Sequence, residues 1–439
     1  MSLDHAGRTS SPSRFERCGW GLCVLLMLST TASAQQASLV FMDNLPPNLL
    51  SYEVGFLSLT DDGTVIGTSV EQSAPIGTGI TWSQQKGWTL LPKPGPEWSV
   101  SAQGTSRDGR YIAGLAAPPP NFSPAMPIVW IDGEGPFVLF EPPEPYEQAF
   151  AQDVSDAEYG YIVEGLLIDD GPGADVPFLF DGEKLTNLGS PQGAVTSIAD
   201  INTPETLLGT SGNILTGSLE GVRWREGIGW EFLGDLPGCG SFSRILGSSA
   251  DARVGVGQTT PGLICTVAFS RWTEYHGWQW YHIPGNIVGG RAEQVSGDGW
   301  RVVGETGNAG PPPLLNGATI WDPVNGARYL QDVLFEEYGI SAGEWQLWTI
   351  DTISFDGTMM AGIAARWTGT QLEYRPFFAT LPAFCYADCN GDDELNVLDY
   401  FCFAEQFSQR TVYANCDNDG RMNIFDFICF GNKFAEGCP

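Results

Sequence analysis

A short signature, Ser-x-Asp-Gly followed by an aliphatic pair and a closing glycine, recurs between residues 40 and 382. It reads Thr60-Asp61-Asp62-Gly63 to Gly67, Ser106-Arg107-Asp108-Gly109 to Gly114, Ser296-Gly297-Asp298-Gly299 to Gly304, and Ser354-Phe355-Asp356-Gly357 to Gly362. Eroded copies run from Ser155-Asp156 to Gly165, Ile201-Asn202 to Gly209, and Ser249-Ala250-Asp251 to Gly257. The seven closing glycines stand 47, 51, 44, 48, 47 and 58 residues apart. A unit of this length cannot bury a core alone, so the copies must stack on one another.

Each unit reads as antiparallel strands. Asp-Gly favours a type I′ hairpin turn, in which both central residues take φ > 0. Thr64-Val65-Ile66 and Trp300-Arg301-Val302-Val303 are short β-forming runs beside such turns. A third strand carries one aromatic per unit: Trp82, Trp130, Phe180, Trp224, Trp272, Trp321 and Phe378. A fourth often follows, as in Gly87-Trp88-Thr89-Leu90-Leu91. Four strands in roughly 48 residues suit one propeller blade. The predicted fold is therefore all-β, a seven-bladed β-propeller over residues 35–382. An open solenoid and a six-bladed ring with one irregular repeat are the alternatives. The last unit ends at Pro382 without a fourth strand, and Ser38-Leu39-Val40-Phe41-Met42-Asp43 can supply it. That strand would close the ring and leave no exposed edge.

Composition narrows the function. Hydrophobic residues at 42% and aromatics at 12% supply a core, which excludes wholesale disorder. Only 21 basic residues face 52 acidic ones, a net charge of −31, so the chain repels phosphate backbones and nucleic acid is excluded as a partner. Arg8, Arg14 and Arg17, the apolar run Trp20 to Leu28, and Ala32-Ser33-Ala34 form the pattern of an export signal over residues 1–34. The apolar run is too short for a bilayer core that takes about 20 residues, and no later stretch is long and apolar enough to be a transmembrane segment. The expected location is extracellular.

Cysteine usage fits export. Cys18 and Cys23 lie within the signal, leaving Cys239, Cys265, Cys385, Cys389, Cys402, Cys416, Cys429 and Cys438 as disulfide candidates. Cys239 and Cys265 pair most simply with each other. The other six allow 15 connectivities, among which sequence does not choose.

The repeats resemble the extracellular HAF-repeat family. Ala268-Phe269-Ser270-Arg271-Trp272 and Leu233-Gly234-Asp235-Leu236-Pro237-Gly238 match it best. The ending Tyr338-Gly339-Ile340, through Trp348, to Phe378-Ala379-Thr380-Leu381-Pro382 is also similar. The resemblance implies a secreted propeller and no particular reaction.

Residues 383–439 hold a different duplication, with an offset of 27 residues. The run from Asp388 to Asp399 aligns with that from Asn415 to Asp426. Side-chain oxygens recur at loop positions 1, 3, 5, 9 and 12: Asp388, Asn390, Asp392, Asn396 and Asp399, then Asn415, Asp417, Asp419, Asn423 and Asp426. Position 7, Glu394 or Arg421, would offer its backbone carbonyl. This is the spacing of an EF-hand calcium loop, in which six to eight oxygens surround a hard cation. Tyr400, Phe403 and Phe407 match Phe427, Phe430 and Phe434, and their spacing puts each trio on one face of a helix after the loop. The tail is thus a small disulfide-rich α domain of two calcium loop–helix units, with calcium as its cofactor. Turn formation alone is the competing account of its Asp and Asn residues.

The tail resembles a type I dockerin, which implies a cohesin-like or cell-surface protein as partner. It departs from that pattern at Asp393, where glycine is usual, at Asn415, and in its six cysteines. Loop positions 10 and 11, often small hydroxyl residues in dockerins, are Val397-Leu398 and Ile424-Phe425.

No phosphate loop, zinc pattern or Gly-x-Ser-x-Gly elbow is present, and His276 and His282 match no metal pattern. No residue is singled out as catalytic. The sequence therefore favours a secreted propeller that binds a polysaccharide or surface protein and is tethered by its tail. The alternative is an extracellular polysaccharide-degrading hydrolase or lyase carrying a dockerin.

Overall fold

The computed structural model describes residues 36–438, apart from 51–53, 72–76, 121–122, 158–159, 170–174, 192–194, 202, 214–217, 237–241, 263–265, 284–288, 308–316 and 393. The export segment, the Cys239–Cys265 pair and Asp393 lie outside the described residues.

Among the described residues, seven four-stranded antiparallel sheets follow one another as propeller blades. Blade 1 runs Gly55–Leu59, Val65–Val70, Gly77–Ser83 and Gly87–Leu90. Blade 7 takes Gln346–Ile353, Met359–Trp367 and Leu372–Thr380 from the end of the ring, and Ser38–Phe41 from its beginning. The pairing Ser38↔Thr380 through Phe41↔Phe377 is the ring closure expected from sequence. Asp43 fastens it by accepting from the Arg375 guanidinium through both carboxylate oxygens.

Six of the seven third-strand aromatics are core residues, and Trp224 is half-buried. Trp130 is fully buried, and Trp82, Phe180, Trp272, Trp321 and Phe378 are nearly so. They pack between blades: Trp82 meets Phe378 across the closure, ring centroids 5.5 Å apart. Fourth-strand tryptophans add a polar clasp, since a buried indole N–H needs an acceptor. Trp88 donates to the Asp43 carbonyl, Trp230 to Leu188 and Trp278 to Gly234, at 2.9–3.1 Å.

The Ser-x-Asp-Gly turns differ from the expected type I′ form. Only the glycine has positive φ, 82° at Gly63, 73° at Gly109, 78° at Gly299 and 74° at Gly357. Its N–H returns to the Ser or Thr carbonyl three residues back, the closure of a type I turn. Side chains complete the turn. The hydroxyl donates to the Asp carboxylate at 2.5–2.8 Å in five copies, and Asp Oδ1 accepts the backbone N–H two residues on at 2.9–3.1 Å. Asp and Ser are thus selected by side-chain bonding to the backbone, which a short polar side chain does well.

The first strand of each blade is irregular in register against the second, once in blades 1 to 6, for example between Ala102 and Gly104, Ala151 and Asp153, and Ala292 and Gln294, and twice in blade 7. Such bulges re-aim the following side chain. The ends of these strands converge on the axis around a cavity of ≈ 70 Å³, lined by Ser58, Thr105, Asp153, Asp200, Ser248 and Gln294 among others.

Helix α1, Leu330–Glu336, follows the last strand of blade 6 and packs Leu330, Val333 and Leu334 into the core shared by blades 6 and 7. Helices α2, Val397–Gln409, and α3, Ile424–Glu436, belong to the tail. No helix among the described residues is long and apolar enough to cross a membrane.

Candidate functional site

The tail's duplication becomes a pseudo-twofold pair. Disulfides Cys389–Cys402 and Cys416–Cys429 each tie loop position 2 to the following helix, and Cys385–Cys438 joins the ends of the domain. Phe403 stacks on Phe430 at 4.3 Å, with Tyr400 edge-on to Phe430 and Phe407 against Phe427. The six rings expected to face one another do so. Tyr386 and Tyr413, another pair 27 residues apart, stack at 4.6 Å, and each hydroxyl donates to the other's backbone carbonyl. Sequence reading passed over this pair because it lies outside the loop and helix patterns, although its offset was visible.

Both loops end in a capping box. Asn396 Oδ1 accepts from Leu398 N and Asp399 Oδ2 from Asn396 N, each at 2.8 Å; Asn423, Phe425 and Asp426 repeat both bonds at the same length. Position 9 also faces position 7: the Asn396 amide donates to the Glu394 carbonyl and the Asn423 amide to the Arg421 carbonyl. The side chains at positions 9 and 12 and the carbonyl at 7 are therefore gathered in both copies.

The two loops differ in how their remaining oxygens are used. In the first, Asp388 Oδ1 accepts from Gly391 N and Asp392 N, Asp392 Oδ1 from Glu394 N, and Asp399 Oδ1 from Cys389 N. In the second, Asp417 Oδ1 and Asp419 Oδ1 make the equivalent turn bonds. Asn415 Oδ1 and Asp426 Oδ1, at positions 1 and 12, are instead buried without a hydrogen-bond partner. Burial raises the Asp426 carboxyl above its usual range, and the negative charges of Asp417 and Asp419 add to it. A buried acceptor without a donor is costly, and a cation relieves that cost. The residues present thus fit a hard, oxygen-ligated ion such as calcium. As the side chains stand, no three His, Cys, Asp or Glu among the described residues are close enough to hold one.

The tail is also fixed to the propeller. Trp300 of blade 6 is buried in the tail's aromatic core, 4.9 Å from the Tyr386 ring. Fully buried Arg271 donates to the Gly299 carbonyl and to Asn418 Oδ1, while the Asn418 amide donates to the Asp298 carbonyl. Arg253 reaches the Asp417 carbonyl at 2.9 Å, and His276 Nε2 lies 3.4 Å from the Arg410 carbonyl. The second loop is thereby seated on the turns of blades 5 and 6.

Among its exposed residues the tail carries two matching apolar triplets. Val397, Leu398 and Phe401 are 62%, 53% and 67% exposed, and their counterparts Ile424, Phe425 and Ile428 are 64%, 62% and 51%. Isolated exposed hydrophobics are ordinary; two equivalent triplets on paired helices form a surface suited to a partner.

No protein-family model and no curated protein matches the chain. Among solved structures it is similar to TolB from Acinetobacter baumannii, at 12% identity over 73% of this chain with a TM-score of 0.42, and spans 64% of that chain, less than two thirds. The β-propeller domain of the Trilobed protease from Pyrococcus furiosus is 10% identical over 74% of this chain and 95% of that one, TM-score 0.47. YCF48 bound to D1 peptide is 12% identical over 81% and 99% of the two chains, TM-score 0.44. Likeness at this level carries no ligand or activity across. The propeller rests on the strand order of the chain itself.

Proposed function

We propose that this protein is exported and works by binding. In this reading its propeller takes a polysaccharide or surface-protein ligand. Its calcium-organised tail holds it, through the twinned apolar helix faces, to a cohesin-like or other cell-surface protein. The observation that carries the reading is the pair of exposed triplets, Val397-Leu398-Phe401 and Ile424-Phe425-Ile428, at equivalent places on the two tail helices. Three disulfides in the tail support an oxidising compartment. The unpartnered oxygens of Asn415 and Asp426 support calcium in the second loop, with Asp417, Asp419 and Asn423 and the Arg421 carbonyl as further ligands. Asp388, Asn390, Asp392, Asn396 and Asp399, with the Glu394 carbonyl, form the equivalent set in the first.

Because the faces are equivalent, one can substitute for the other. The test is therefore a double variant, Phe401→Ser with Ile428→Ser, passed over an immobilised cohesin in calcium. Retention of the native chain and loss in the double variant is the expected result; a native chain that is not retained removes the cohesin partner. The propeller is tested by incubation with a panel of polysaccharides. Retention without new reducing or unsaturated ends supports binding, whereas release of such ends makes the protein a hydrolase or lyase.

A further inference from the structure

Resting on the calcium reading of the tail, we propose that blades 5 and 6 preorganise the second loop. The two loops then bind calcium unequally, and the ion in the second fastens the tail to the propeller.

The loops are near-copies in sequence but not in surroundings. In the first, Asn390, Gly391 and Asp392 are exposed, and the loop approaches blade 6 where Gly391 lies beside Val324. In the second, Asn415 and Asn418 are buried, and Asp417, Asp419 and Gly420 are half-buried. Position 4 shows how this comes about. It is left-handed in both loops, with φ 69° at Gly391 and 52° at Asn418. Glycine enters that region without strain, and asparagine is one of the few other residues that do so routinely. The turn itself is served by glycine, so the Asn418 side chain is free to act across the seam. Its amide donates to the Asp298 carbonyl at 3.2 Å, and its Oδ1 accepts from Arg271 at 3.4 Å. On one side of it, Arg253 donates to the Asp417 carbonyl at 2.9 Å. On the other, a Cβ on Gly420 would stand 3.2 Å from the Cβ of Tyr275 in blade 5.

Propeller and ion do not compete for an atom. The propeller bonds the Asp417 carbonyl and the Asn418 side chain. The ligand set of such a loop is the side chains at positions 1, 3, 5, 9 and 12 and the carbonyl at 7, so neither group belongs to it. A loop already held in place has less ordering entropy to lose when an ion arrives, which raises its affinity. Linkage makes the gain reciprocal: the factor by which the seat strengthens calcium binding is the factor by which calcium strengthens the seat. Asn415 Oδ1 and Asp426 Oδ1, buried without a donor, both belong to this held loop.

Calorimetric titration of calcium into the full-length mature chain should resolve two sites of unequal affinity. Asp419→Ala should remove the tighter one, and Asp392→Ala, the same position of the first loop, the weaker. Asn418→Gly gives the second loop the residue that the first has at position 4. It leaves the charge unchanged, so repulsion of the ion by Arg253 and Arg271 is the same before and after. It should weaken the tighter site by about fivefold or more, the lower end of ordinary coupling between sites, and leave the weaker site as it was. Hydrogen exchange of the native chain reads the reciprocal effect without any change at the seam. Calcium should slow exchange in the blade turns Ser249 to Arg253 and Ser296 to Trp300. Asp419→Ala should abolish that slowing and Asp392→Ala should keep it. Equal affinities, a tighter site in the first loop, native affinities in Asn418→Gly, or blade turns whose exchange ignores calcium would each overturn the proposal and leave calcium in the tail standing. A native chain that takes up no calcium overturns the calcium reading itself, and the proposal with it.

Discussion

Gly104 shows how one residue serves another 49 positions away. Its missing Cβ is the space that Asp153 occupies, with the Asp153 Cα only 2.6 Å from where that carbon would stand. Gly104→Ala forces strand or side chain to move, and overpacking of this kind costs about 1–3 kcal/mol. Gly55, the first residue of its own inner strand, has nothing within 4 Å of a built Cβ. Gly55→Ala should therefore stay within about 0.5 kcal/mol of the native chain, as surface changes do. Urea midpoints of the two variants check the contrast; equal costs would refute this account of Gly104. None of it was legible in the sequence. Asp153, Glu164 and Asp200 lie in or beside the most eroded repeats, and only the bulge register sets Asp153 opposite Glu164. The Ser-x-Asp-Gly turns were legible as turns but not as their type, because propensity for φ > 0 says nothing of a hydroxyl bonded to the Asp carboxylate.

At the scale of elements, the best-read parts were those present more than once. Seven spaced glycines announced seven blades, and the 27-residue offset announced the paired loop–helix units. The seam between tail and propeller escaped because Trp300 and Arg271 look like ordinary repeat residues; only the fold reveals Tyr386 and Asn418 beside them. Two predictions belong here. Deleting residues 38–43 removes the outer strand of blade 7 and exposes the backbone edge of Leu372–Thr380. Melting temperature should fall sharply and the chain should self-associate on gel filtration; a native melt would mean the ring does not depend on that strand. Replacing Cys416 and Cys429 by Ala opens a loop with a sequence separation of 13, and bridges closing loops of that size contribute about 3 kcal/mol. Limited proteolysis should then cut the second loop first, leaving the blades intact.

Over the whole molecule, an excess of acid is partly folded inward. Burial raises Glu293 to about 7 and Asp351 to about 6, with Arg291 only partly offsetting it, and the negative charge of Glu305 works in the same direction. In the unfolded chain both groups ionise near pH 4. Between that pH and their native values, the native state holds protons that the unfolded chain has released, so stability falls as pH rises, by up to about 1.4 kcal/mol per pH unit for each group. Urea midpoints in chelator should be lower at pH 7.5 than at pH 5, and Glu293→Gln should flatten the slope. The same midpoint at both pH values would contradict the burial of these groups. The closing strand has a consequence in time. Ser38 is made early, yet its partner Thr380 lies 342 residues further along the chain. Until blade 7 is complete, Ser38–Phe41 has no strand to join, so ring closure must wait for the end of the chain, and so long-range a pairing is expected to form slowly. Reopening the finished ring means breaking that one long-range seam, and a seam slow to break would protect the protein by slow unfolding as much as by a deep equilibrium.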